Sequence, residues 1–168
     1  MTTPFPCPSR SAPMTDPIEA RCLQEAFAVA RSARAHGNHP FGAVLADGQG
    51  GVLLRAENTV NTGGDCTGHA ETNLMRMATK TFPASRLATF TLYSSTEPCP
   101  MCAGAIFWGN VRRVVYGLGQ ASLYAMTGDS PYKLPLGCRE VLSHGGHATE
   151  IIGPALEEEA RSVHTGFW

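Results

Sequence analysis

Two short motifs constrain this chain more than anything else in it: His69-Ala70-Glu71, and later Pro98-Cys99-Pro100-Met101-Cys102. An imidazole and two thiolates are borderline-soft ligands of the kind that zinc takes. Brought to one point, His69, Cys99 and Cys102 supply three protein ligands. That leaves a fourth position for water, the pattern of a catalytic rather than a structural site. Zinc lowers the pKa of such a water to about 7, so hydroxide is present at neutral pH. A carboxylate that is not a ligand must then carry protons, and Glu71 is the residue placed for it. Two alternatives stand beside this reading. Cys66 lies three residues before His69, so Cys66, His69, Cys99 and Cys102 are also a ligand set for a closed Cys3His site. That site explains neither Glu71 nor the flanking residues. The second alternative is a C-x-x-C redox pair, which lacks a thioredoxin-like setting here.

The residues around each motif predict helix starts. Pro98 and Pro100 are suited to a first helical turn. Cys99 and Cys102 then lie three apart at a helix N-terminus, which favours negative charge and depresses a thiol pKa. His69 opens the apolar run Leu74, Met75, Met77, Ala78, a second helix reaching about Lys80. His69 and Glu71 are two apart and share no face inside a helix. At a first turn Glu71 need reach only the water.

Elsewhere, helix and strand signals alternate. Asp16-Pro17-Ile18-Glu19 is a helix start with an N-cap Asp, a proline at the first position and a Glu three after the cap. That helix is expected to run to about His36 and to bury Ile18, Cys22, Ala26, Val29, Ala30 and Ala33. Strands are expected at 42–47, 52–57, 88–95, 111–116 and 149–152. Further helices are expected over 100–109, near Ser122, over 138–143 and from Pro154 to Val163. This alternation predicts an α/β fold, a three-layer α/β/α sandwich around a central mixed five-stranded sheet. Residues 1–14 are rich in Pro, Ser and Thr and are expected to be a disordered tail. Residues 15–168 are read as one domain.

Composition excludes some classes. The chain has 168 residues and a formal net charge of −1 at pH 7, with no basic run. That gives no electrostatic footprint for nucleic acid, which disfavours such a partner without excluding it. Arg112-Arg113 is the one adjacent basic pair, usually a solvated strand edge. Cys7, Cys22, Cys66 and Cys138 show no disulfide-framework spacing. No stretch reads as a secretory leader or a membrane span, so a membrane is not expected as a partner. A reduced, cytoplasmic setting is the expectation.

The motifs resemble the cytidine-deaminase-like superfamily. Within it, the similarity is to the branch holding guanine deaminases, yeast-type cytosine deaminases and wobble-adenosine tRNA deaminases. Pro40-Phe41-Gly42-Ala43-Val44 resembles that family's first-strand motif. Glu57-Asn58-Thr59-Val60 resembles the segment carrying a substrate-binding Asn. Glu97 to Ile106 follows the second metal motif almost residue for residue, and Arg113-Val114-Val115-Tyr116-Gly117 matches the strand after it. The similarity runs from about Ile18 to Tyr116.

The resemblance implies Zn2+ on His69, Cys99 and Cys102, with Glu71 as proton shuttle. It implies that Asn58 and the Ala70 backbone amide hold the substrate, and that the protein is a homodimer. Asn58 is equally a turn residue. Phe41 and Trp108 are either stacking platforms for a flat base or packing residues. Phe107-Trp108 and the C-terminal Phe167-Trp168 resemble features of guanine deaminases, Trp168 as a pocket residue or as a frayed end. The acidic segment of those enzymes is not evident, and Asp129 stands near its place. The expected activity is hydrolytic deamination of a free nucleobase or nucleoside, a purine such as guanine first. The alternatives are wobble adenosine in tRNA, cytosine, and a non-catalytic zinc-stabilised binding module. An RNA substrate calls for a basic surface, whereas the last predicted helix carries Glu157, Glu158 and Glu159.

Overall fold

A computed structural model of the protein describes residues 9–10, 14 and 16–168. In chain order the elements are β1 (Ser9–Arg10), α1 (Pro17–Ala35), β2 (Gly42–Ala46), β3 (Val52–Glu57), α2 (Val60–Gly63) and α3 (Ala70–Thr81). They continue with α4 (Ala84–Leu87), β4 (Thr91–Thr96), α5 (Pro100–Trp108), β5 (Arg113–Leu118) and α6 (Gln120–Met126). The last are α7 (Cys138–Ser143), β6 (Glu150–Ile152) and α8 (Glu157–His164).

The sheet order is β1-β6-β5-β4-β2-β3. β2 runs antiparallel to β3 and β4, while β4, β5, β6 and β1 are mutually parallel. The expected mixed sheet of five strands is present, with Ser9–Arg10 added as a two-residue edge strand on β6. Most of the expected 1–14 tail lies outside the described residues. Successive side chains of a strand point to opposite faces, and the core divides on that rule. Val44, Ala46, Tyr93 and Val115 join one cluster with α1 and α8. Ala43, Leu45, Leu92 and Val114 join another with α3 and Ile106 of α5. Helices therefore cover both faces, and β4 is buried along its whole length.

Local chemistry sets the boundaries. Asp16 accepts a hydrogen bond from the Ile18 backbone N–H at 2.8 Å and so caps α1. Glu19, expected to complete a capping box, instead forms an ion pair with Arg113, which also meets Glu150 at 2.8 Å. Arg112 turns back onto Asn110. The buried stripe of α1 uses Leu23 and Phe27 in place of the expected Ile18 and Val29, because Ile18 sits 42% exposed in the first turn.

Several boundaries differ from expectation, including the 111–116 strand, which runs from Arg113 to Leu118. The 88–95 strand starts only at Thr91, because residues 84–87 form a helical turn that buries Leu87. The loop after β3 contains the short α2. The last helix begins at Glu157 rather than Pro154. The Ala155 N–H is engaged by the carbonyls of Tyr116 and Gly117, each at 3.1 Å, which holds the segment along β5 first. No helix of the described residues is long and apolar enough to cross a membrane.

Gly42 lets α1 lie directly on β2. A Cβ there would stand 2.5 Å from the Ala26 carbonyl oxygen and press on the Ala30 nitrogen. Both are backbone atoms of a packed helix and cannot turn aside. Gly42→Ala is therefore expected to cost about 1–3 kcal/mol, as overpacking does. The check is the midpoint of urea unfolding; an unchanged midpoint would show that α1 is not seated as described.

Candidate active site

Each metal motif sits where a loop delivers the chain into a helix. His69 is the N-cap of α3 and Cys99 the N-cap of α5. Both have extended backbone, and neither side chain makes a capping hydrogen bond to its own helix, so both remain available to a third party. The approach to His69 is pinned. The Thr59 N–H donates to the Gly68 carbonyl at 2.8 Å, and Asn73 Nδ2 donates to the Glu57 carbonyl at 3.0 Å and to Thr59 Oγ1 at 2.9 Å. β4 carries the chain to Cys99 from the centre of the sheet.

The result is a nearly equilateral triangle. His69 Nδ1 lies 3.5 Å from Cys99 Sγ and 3.6 Å from Cys102 Sγ, and the two sulfurs are 3.6 Å apart. Ligands held about 2.0–2.3 Å from a tetrahedral ion stand about 3.4–3.8 Å from one another, so the spacing fits zinc. Cys66 is exposed and does not belong to this group. That removes the closed Cys3His arrangement and leaves the fourth tetrahedral position without a protein ligand among the described residues.

Glu71 lies beside the triangle, 5% exposed. Ser94 Oγ donates to its Oε1 at 2.7 Å, and Cys102 Sγ donates to its Oε2 at 3.4 Å. Burial pushes its pKa up, against the Ser94 hydrogen bond. A carboxylate with raised proton affinity and one fixed oxygen is suited to receive and return a proton. The hydrogen bond with Cys102 brings Cys99 down to about 4, helped by His69 and opposed by burial. Cys102 moves up through the same bond and through its own burial. His69 is raised, chiefly by Cys99.

A cavity of about 330 Å³ opens onto His69, Glu71 and Cys99. Phe41 and Trp168 line it. Trp168 is not frayed: its ring packs on Phe167 and on His39. Ala70 is fully buried at the first position of α3, where a backbone N–H has no partner within the helix. Asn58 is 1% exposed; its Oδ1 accepts from the Val60 N–H at 3.1 Å, which realises the turn role. Its Nδ2 makes no hydrogen bond among the described residues, so a donor role is also open to it.

Four of the expected substrate-contact residues do not line the cavity: Asn58 and Ala70, buried as described, and Trp108 and Asp129. Trp108 is 83% exposed at the end of α5, so stacking on a base in this cavity is corrected to a surface position. Asp129 is exposed, while its neighbours Thr127 and Ser130 face the cavity instead. The sequence reading also missed Thr96, Gln120, Tyr124 and Lys133, all of which line the space. Glu97 lines it too, yet its carboxylate is committed: it accepts from the Gln120 N–H at 3.0 Å and the Cys138 N–H at 3.1 Å. It thereby serves the starts of α6 and α7. Position three before Cys99 was the available signal for Thr96. Nothing local marks the others.

Residues 17–118 match the model of the cytidine and deoxycytidylate deaminase zinc-binding region. The chain belongs to that family. A probable cytosine deaminase of Schizosaccharomyces pombe is 43% identical over 149 residues, 87% of this chain and 90% of that one. A tRNA-specific adenosine deaminase of Bacillus subtilis is 34% identical over 146 residues, 87% of this chain and 86% of that one. The solved guanine deaminase of Bacillus subtilis has a TM-score of 0.60 at 35% identity, covering 64% of this chain and 69% of that one. The family and the ligand geometry together support Zn2+ as the metal.

Metal analysis is expected to find one zinc per chain in the wild type and in Cys66→Ser, and almost none in Cys99→Ser or His69→Ala. Zinc lost from Cys66→Ser would restore the closed site. A second expectation concerns His164, 1% exposed, whose pKa burial and Arg34 bring from 6.5 down to about 4. Between those values the unfolded chain binds a proton that the folded chain does not. His164 therefore favours the fold above about pH 6.5, and stability falls as pH drops towards 4, by up to roughly 1 kcal/mol per pH unit. Urea unfolding of His164→Gln is expected to show a shallower slope over that range; an equal slope would refute the assignment.

Proposed function

We propose that this protein is a zinc-dependent hydrolytic deaminase of a free nucleobase or nucleoside. The observation that carries this reading is the single cavity face shared by His69, Glu71 and Cys99. Its volume is at the small end of ligand sites, which suits one flat heterocycle. Zinc held by His69, Cys99 and Cys102 would supply hydroxide at neutral pH.

The chain's own groups do the rest. Glu71 takes a proton from the attacking water and returns it to the ring nitrogen, then takes the second proton from the same oxygen and delivers it to the departing amine, so that ammonia leaves and a carbonyl forms. Ser94 fixes Oε1 while this happens. Phe41, Leu123, Tyr124 and Trp168 enclose the ring and thin out competing water. Asn58 and the Ala70 backbone amide are proposed to hold its polar edge.

A purine such as guanine remains the first candidate, supported by the guanine deaminase similarity and by Trp168 at the cavity. A specific finding favours cytosine as the second reading: a relative 43% identical and matched over 90% of its length is a probable cytosine deaminase. The near-neutral charge and the glutamates opening α8 weigh against an RNA substrate. The homodimer also stays a proposal, with Met101 and Trp108 offering exposed apolar surface on α5.

The test is ammonia release by zinc-loaded protein from guanine, cytosine, adenine, their nucleosides and an anticodon stem-loop. Turnover of a free base or nucleoside is expected, with Glu71→Ala retaining zinc and losing at least about 100-fold in rate. Turnover of the stem-loop alone would overturn the small-molecule reading. Full activity in Glu71→Ala would overturn the proton-transfer role.

A further inference from the structure

His164 stands between two groups that together dictate where its proton lies. The Trp168 indole N–H, which can only donate, points to His164 Nδ1 at 3.3 Å. Nδ1 must therefore present a lone pair. A neutral imidazole carries one N–H, so the proton of His164 resides on Nε2. The neutral state agrees with near-complete burial and with the Arg34 guanidinium nearby.

Nε2 lies 3.3 Å from Thr96 Oγ1. With the proton on Nε2, His164 donates and the Thr96 oxygen accepts. The Thr96 hydroxyl hydrogen is then directed elsewhere. Among the described residues no contact gives it an acceptor, and Thr96 lines the cavity that holds His69 and Glu71. The polarity of the whole chain of contacts is thus fixed from its far end: Trp168 to His164, His164 to Thr96, Thr96 to the cavity.

Arg34 keeps that far end in place. Its Nη1 donates to the carbonyls of Val163 at 3.1 Å and Thr165 at 2.9 Å, and its Nη2 to Gly166 at 3.3 Å. The guanidinium also lies 5.6 Å from the centre of the Phe167 ring. These contacts fasten the segment after α8 to α1, and so hold Trp168 against His164.

We propose that Thr96 is a hydrogen-bond donor to the bound heterocycle, set in that role by His164 and Trp168, with Arg34 as the positioning residue. This rests on the cavity being the substrate site of a deaminase. The ligand must then offer an acceptor at that wall, a carbonyl oxygen or an unprotonated ring nitrogen, beside its exocyclic amine.

Two measurements test it. Ring-nitrogen NMR of the zinc-loaded, substrate-free protein at pH 7 is expected to show His164 as the Nε2–H tautomer; the Nδ1–H tautomer would overturn the proposal outright. Steady-state kinetics on whichever free base the wild type turns over then compare Thr96→Ser with Thr96→Val. Thr96→Ser should keep the wild-type KM, while Thr96→Val raises KM about 3- to 10-fold with kcat nearly constant, the worth of one neutral hydrogen bond. Equal effects of the two variants, or a change in kcat alone, would overturn it. A wild type that turns over no base would overturn the deaminase reading instead, and the tautomer alone would then decide how Thr96 is polarised.

Discussion

The convergence of two helix starts on one point is the constraint that the rest of this structure serves. A thiolate pair and an imidazole within 3.6 Å of one another are not a stable arrangement by themselves. Left to water, such groups would separate to gain side-chain freedom. They are held because His69 and Cys99 are fixed by backbone at the caps of α3 and α5, and those helices pack on one face of the same sheet. A cation at the centre turns that crowding into binding, and the helix N-termini favour the anionic ligands it needs. Glu71 sits two residues along the same first turn, and Ser94 reaches it from the buried strand β4.

Around this centre the protein builds a wall from distant segments. β2 contributes Phe41 at its entry, the α6 region contributes Leu123 and Tyr124, and the segment after α8 contributes Trp168. Arg34 ties that last segment to α1, while Arg113 on β5 links α1 to β6 through Glu19 and Glu150. The metal-ligand triangle and Glu71 thus come from one helical layer, and much of the enclosure comes from residues the opposite layer holds in place.

The legibility of the sequence followed the range of the interactions. Ligands and Glu71 were readable because the chemistry demands those residue types at short spacing. Strands β2, β3 and β5 and helices α1, α3, α5 and α7 were readable from periodicity and from prolines at helix starts. Ser94 and Thr96 were not singled out, because on a strand buried on both faces the alternation no longer separates core from site. The start of α8 was misplaced because Pro154 looks like a helix opener, and only the tertiary bonds of Ala155 postpone it. Trp108 and Asp129 were placed by resemblance alone, and tertiary context sent both outward. His164 carries no local mark at all; its importance comes from contacts 68 residues away along the chain.

X-ray absorption at the zinc edge of the purified protein tests the centre most directly. One nitrogen at about 2.0–2.1 Å, two sulfurs at about 2.3 Å and one further light atom at about 2.0–2.2 Å are predicted, the shell of an open site. A shell of three sulfurs and one nitrogen would contradict it, because a closed site leaves no position for water and no task for Glu71.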